Sequence, residues 1–126
     1  MSIAHAKSLI LQAQDHLNLA QTNVHDSKQH DMVGYNLAQA CEKFLKALCD
    51  MRELPYPDED NDLDELITAM EEAGLSPISS HADIIELTAY NSARAVVSEK
   101  DRLDLAEYLE YTLNLKKLVG EQLQNY

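Results

Sequence analysis

Apolar residues recur at three- and four-residue spacing along most of the chain, with polar residues filling the intervals. Ile3, Ala6, Ile10, Ala13, Leu17, Ala20 and Val24 hold this rhythm without a break, the pattern of a helix with one buried seam. Ser2 is placed to cap it. Leu9, Leu11 and Leu19 fall beside or away from the seam, so Leu11 and Leu19 point to a second packing surface. The polar stretch from His25 to Asp31 reads as a turn, with Asp31 as the cap of a second helix running to about Glu53. Leu37, Ala40, Cys41, Phe44, Leu45 and Leu48 form its buried stripe. Leu54-Pro55 ends it, since proline disfavours helix in the residue before it.

After the extended Pro55-Tyr-Pro57, residues Leu63, Leu66, Ile67 and Met70 predict a short third helix, stopped at Gly74 and kept from resuming by Pro77. Ser80 with Asp83 resembles a capping box. It opens a fourth helix carrying Ile84, Ile85, Leu87 and Thr88, which continues through Tyr90-Asn-Ser-Ala-Arg-Ala95. Ser98 with Asp101 opens a fifth, from about Glu99 to Gln124, whose wide apolar surface suits neighbours on two sides. Three helices of roughly 33–40 Å and two shorter ones, joined by short connections, predict an all-α, antiparallel up-and-down bundle. Residues 1–126 are expected to form one domain, and no internal repeat is evident.

Composition supports this reading. With three Gly, three Pro and no Trp, the chain has little material for turns or sheets, and its abundant Leu, Ala, Glu, Gln and Lys favour helix. The net charge of −12 disfavours an extended nucleic-acid surface or an anionic membrane. No run has the length or apolarity of a membrane span, and the first residues lack a secretory signal's apolar core. Cys41 and Cys49 are one helical stretch apart by about 12 Å along the axis, too far for a mutual disulfide. Free buried thiols fit a reducing cytoplasm.

Candidate chemistry concentrates on the second helix, where Gln39, Glu42, Lys43 and Lys46 form a polar set beside the apolar stripe. Glu42 and Lys46 stand at the i, i+4 spacing of a helix ion pair. Lys46 with Arg94 would grip a phosphate, Arg bidentately. In a chain this acidic, an ion pair of Arg94 with Glu42 or Asp83 is the favoured alternative. Tyr90 and Asn91 are further groove-lining candidates, although a tyrosine there more often serves as core. His25, Asp26, His30 and Asp31 are ligand types suited to a metal, but their irregular spacing fits caps and turns better. The run from Asp58 to Glu72 holds eight acidic residues and no basic one. Asp60, Asp62, Asp64 and Glu71 take calcium-loop positions, yet Glu65 stands where such a loop needs glycine, so a solvated or partner-docking acidic face is expected instead. No metal, cofactor or catalytic residue is assigned.

The run from Asn36 to Leu48, containing Gln39-Ala-Cys-Glu-Lys-Phe-Leu-Lys-Ala47, resembles the second-helix signature of HEPN domains (higher eukaryotes and prokaryotes nucleotide-binding). The proline loop, the leucine-rich helix and the Tyr90-Asn-Ser-Ala-Arg94 element follow in the family's order. The resemblance implies a helical bundle, often a homodimer. Some members are metal-independent ribonucleases, frequently toxins; others are non-catalytic partners of nucleotidyltransferase-like proteins. The catalytic members carry a histidine a few residues after an arginine. Here neither Arg94 nor Arg102 is followed by one, and none occurs after His81. That histidine would transfer the proton. The leading expectation is therefore a non-catalytic, cytoplasmic protein that homodimerises and binds a nucleotidyltransferase-like partner in a toxin–antitoxin-like pair. An RNA-cleaving toxin using Arg94, with Glu42 or Asn91 replacing the histidine, and a nucleotide-binding module using Lys46 and Arg94 are the alternatives.

Overall fold

The computed structural model describes residues 3–56, 63–74, 76–92 and 96–124, and of residues 76–82 the backbone alone. Four α-helices are present among the described residues: α1 (Ile3–Asn23), α2 (His30–Met51), α3 (Leu63–Glu72) and α4 (Leu105–Leu123). A 3₁₀ helix, Ser76–Tyr90, stands where a fourth α-helix is expected, and single 3₁₀ turns occupy Ser27–Gln29 and Glu99–Asp101. There is no strand among the described residues, so the chain is all-α. Ser2, Pro57, Asp60, Asp62 and Arg94, with the side chains of Pro77, Ser80 and His81, lie outside the described residues.

The long 3₁₀ helix follows from its sequence. Ser, Thr, Asp and β-branched residues compete with α-helical bonding. Its burial repeats every three residues. Ile84, Leu87 and Tyr90 are buried, Ile85 and Thr88 half-buried, and Asp83, Glu86 and Ala89 exposed. Three residues per turn line the first set up along one edge. Ser80 lies inside this helix rather than at its start.

α2 is the central element and packs against α1, α3, α4 and the long 3₁₀ helix. Every residue from Phe44 to Met51 is buried, as expected of a helix surrounded by neighbours. α1 runs antiparallel to it: His5 meets Asp50, and His16 meets Asn36 at 2.8 Å. α4 runs parallel to α2, with Cys41 and Thr112 3.3 Å apart at one level and Arg52 donating to Gln122 at 2.5 Å at the next. The 3₁₀ helix returns between them, antiparallel to α4: Glu86 accepts from the Tyr108 hydroxyl, and Tyr90 accepts from the Leu103 backbone. Thus α1, α2, the 3₁₀ helix and α4 alternate in direction, giving the up-and-down bundle, with α3 packed mainly on the 3₁₀ helix.

Several boundaries differ from expectation. α2 ends at Met51, before Leu54-Pro55 can act. Glu53 takes a left-handed φ of 56°, its N–H reaches the Asp50 carbonyl at 3.2 Å, and the Leu54 N–H reaches Cys49 at 2.8 Å. This paired closure is a Schellman turn with glutamate in the usual glycine position. At the other end Asp31 lies inside the first turn of α2 and accepts from the Val97 backbone at 3.4 Å, while Asp26 caps the preceding turn through the Lys28 N–H at 3.0 Å. α4 starts at Leu105 rather than near Glu99. Ser98 donates to Asp101 at 2.6 Å, closing one turn, and the Leu103 N–H goes to Tyr90 at 3.0 Å, so the chain stays extended between. Leu9 is buried, whereas Leu11 and Leu19 are 64% and 53% exposed.

Candidate functional site: a polar sector of the central helix

At about 100° per residue, Gln39, Glu42, Lys43, Lys46 and Asp50 fall within a third of the α2 circumference. The helix alone therefore places them in one strip. Glu42, Lys46 and Asp50 are all buried, so this is not a solvated face. Burial of charge is tolerated only with good partners.

The strip supplies them in sequence. The Gln39 amide donates to Asn91 Oδ1 at 2.5 Å. Asn91 Nδ2 donates to Glu42 Oε1 at 3.3 Å. Glu42 Oε2 lies 3.6 Å from Lys46 Nζ. That ammonium stands 5.8 Å from the centroid of the Tyr56 ring, at cation–π range. The Tyr56 hydroxyl donates to Asp50 Oδ1 at 3.1 Å, and His5 Nδ1 donates to Asp50 Oδ2 at 2.5 Å. The end of the 3₁₀ helix thus closes one end of the strip, and α1 with the loop after α2 closes the other. No buried side-chain nitrogen or oxygen among the described residues lacks a partner.

Two sequence expectations are separated here. The Glu42–Lys46 pair forms, but as a buried pair that also takes Asn91, not as a surface pair. Tyr90 does not share the strip. Its ring is fully buried against the α2 backbone, where a Cβ on Gly34 would stand 2.1 Å from Tyr90 Cδ1. Its hydroxyl sits 2.9 Å from His30 Nε2 and accepts from Leu103. Burial, helped by the Arg102 cation and opposed by Asp31, lowers the His30 pKa; burial raises that of Tyr90. A neutral His30 therefore accepts a hydrogen bond from the Tyr90 hydroxyl. Lys43 is half-buried on the strip's edge and makes no ion pair among the described residues.

The weak metal set of the turn disperses into structural roles, since Asp26 caps, His30 meets Tyr90 and Asp31 holds Val97. No group of three or more metal-ligand side chains forms among the described residues. The calcium-loop reading is replaced by α3, which takes Asp64, Glu65 and Glu71 into a helix. The thiols are core groups: burial pushes Cys41 up to about 12, and burial with the adjacent Asp50 carboxylate pushes Cys49 up to about 11.

Sequence reasoning missed Asp50, His5 and Tyr56. Asp50 had a signal, because it continues the Glu42, Lys46 ladder by another four residues. His5 had none: it is brought in by the antiparallel docking of α1, from 45 residues away.

The bundle and its polar central helix define a recognisable class. The chain belongs to the HEPN domain family, whose model matches residues 6–122, from the first turn of α1 to the last turn of α4. This is a family of nucleotide-binding and ribonuclease-type domains. No curated protein and no solved structure matches the chain. No helix among the described residues is long and apolar enough to cross a membrane.

Proposed function

We propose that this chain is a non-catalytic HEPN domain, acting in the cytoplasm by pairing with a second copy and by docking a partner such as a nucleotidyltransferase-like protein. The observation that carries this reading is the closure of Glu42. Both its oxygens are engaged, one by Lys46 and one by Asn91, so the carboxylate is directed into the bundle rather than at a substrate proton. A general base must reach the proton it removes. The missing histidine after Arg94 points the same way. The acidic exposed side of α3, with Asp64, Glu65, Glu71 and Glu72, favours a basic partner and repels acidic ones.

One observation favours the ribonuclease reading. His5 is 54% exposed on a fully buried Asp50 carboxylate, an arrangement that orients an imidazole for proton transfer. Incubation of the purified chain with RNA in EDTA tests both. Intact RNA is the expected outcome. Cleavage that disappears in Arg94→Ala or His5→Ala overturns the non-catalytic reading, and a saturable melting shift with a nucleotide transfers the function to the binding-module reading.

A further inference from the structure

The outer side of α1 carries a self-complementary order of side chains. Ile3, Lys7, Leu11, Asp15 and Leu19 follow one another at four-residue intervals, and all are exposed. Four-residue rows are the ridges by which helices interlock, with axes crossing at about −50°. The row reads the same after reversal with exchange of charge. Around Leu11, Lys7 and Asp15 are equidistant, as are Ile3 and Leu19.

Charge distribution isolates this face. Of the chain's 22 acidic and 10 basic residues, α1 contains only Lys7 and Asp15. The net charge of −12 therefore lies wholly outside α1. Two copies repel one another wherever acidic surfaces meet, and α1 is the long helix on which they do not.

We propose that the outer face of α1 is the surface on which a second copy of this chain docks, antiparallel and with Leu11 on the two-fold axis. Leu11 meets Leu11 of the second copy, and Lys7 of each copy meets Asp15 of the other. Ile3 and Leu19, each about 80° around the helix from Leu11, flank the contact at its two rims. The leucine contact supplies apolar burial, while the reciprocal ion pairs fix direction, since a parallel arrangement would set Lys7 against Lys7. Ala4 and Ser8 beside the row allow close approach of the two backbones. A shallow depression lined by Ile3, Lys7, Leu123 and Gln124 continues the face onto α4. The contact is isologous, so it closes at two copies and does not propagate.

This inference rests on the self-association part of the proposed function and names its surface. Light scattering and mild oxidation of variants carrying one introduced cysteine test it. Cys41 and Cys49 are buried and poorly ionised, so an introduced surface thiol dominates the reaction. A wild-type dimer is expected, with Leu11→Cys forming a disulfide-linked dimer several-fold faster than Leu19→Cys. Lys7→Glu alone and Asp15→Lys alone shift the sample toward monomer, and the double variant, which restores opposite charges across the axis, returns it to dimer. Circular dichroism confirms that each variant folds. A monomeric wild type overturns self-association itself. A wild-type dimer that survives Lys7→Glu, with no preference for crosslinking at Leu11, overturns the α1 assignment alone.

Discussion

The inner sector of α2 and the outer face of α1 have exchanged the usual places of polar and apolar groups. α2 buries Glu42, Lys46 and Asp50 in the middle of the bundle, whereas α1 holds Leu11 and Leu19 out in solvent. Each inversion has a different physical status. The buried charges are satisfied where they stand, by Asn91, Tyr56, His5 and one another. The exposed leucines gain nothing where they stand and would gain from being covered. Polarity on α2 is therefore spent within the fold, and apolarity on α1 is the surface assigned above to a second copy.

The largest test of this contrast is Glu42→Ala. It leaves Lys46 buried without its carboxylate and should lower stability by about 3 kcal/mol, read as a lower urea midpoint at unchanged slope. Replacing Glu42 and Lys46 together by Leu and Met should cost less than Glu42→Ala alone; an equal or larger cost would show that the pair does more than satisfy itself. Gly34→Ala forces a methyl into the Tyr90 ring and should cost about 2 kcal/mol by overpacking, despite alanine's higher helix propensity. A neutral result would mean that the Tyr90 ring moves aside easily. Tyr90→Phe should cost about 1 kcal/mol, since it strands the Leu103 N–H and removes the bond to His30.

A smaller effect is set by pH. The folded His30 pKa is lowered, so the unfolded chain binds this proton more readily. Its contribution is full above the ordinary value of 6.5 and is lost as pH falls from there through the lowered folded value. His30→Gln should flatten that part of the stability profile, and an unchanged profile would assign the effect to other groups. Smallest of all, Leu11→Ala measured at dilutions that hold the chain monomeric should change stability by no more than about 0.5 kcal/mol. A larger loss would place Leu11 in the monomer's own packing and erase the contrast.

Much of the fold was legible because helical periodicity is a local property. The seams of α1 and α2 could be read residue by residue, and the exposure of Leu11 and Leu19 followed from their angle to the seam. The 3₁₀ helix was misread as α because its apolar residues, Ile84, Leu87 and Tyr90, also fit a loose three-to-four rhythm. Of the candidate site, Gln39, Glu42, Lys46 and Asn91 were named and are brought together. Tyr90 went to the core instead, and Asp50, His5 and Tyr56 were overlooked. A pairwise contact between α1 and the far end of α2 leaves no local mark.

The amino-acid order alone determined which faces of each helix are apolar, where α3 stops, and that α1 carries almost no charge, because each depends on side-chain type at a fixed angular step. The tertiary structure decided the rest. It made Glu42 and Lys46 a buried pair rather than a surface one, since only the return of the 3₁₀ helix brings Asn91 over them. It held α4 back to Leu105, since only the packed Tyr90 hydroxyl captures the Leu103 N–H.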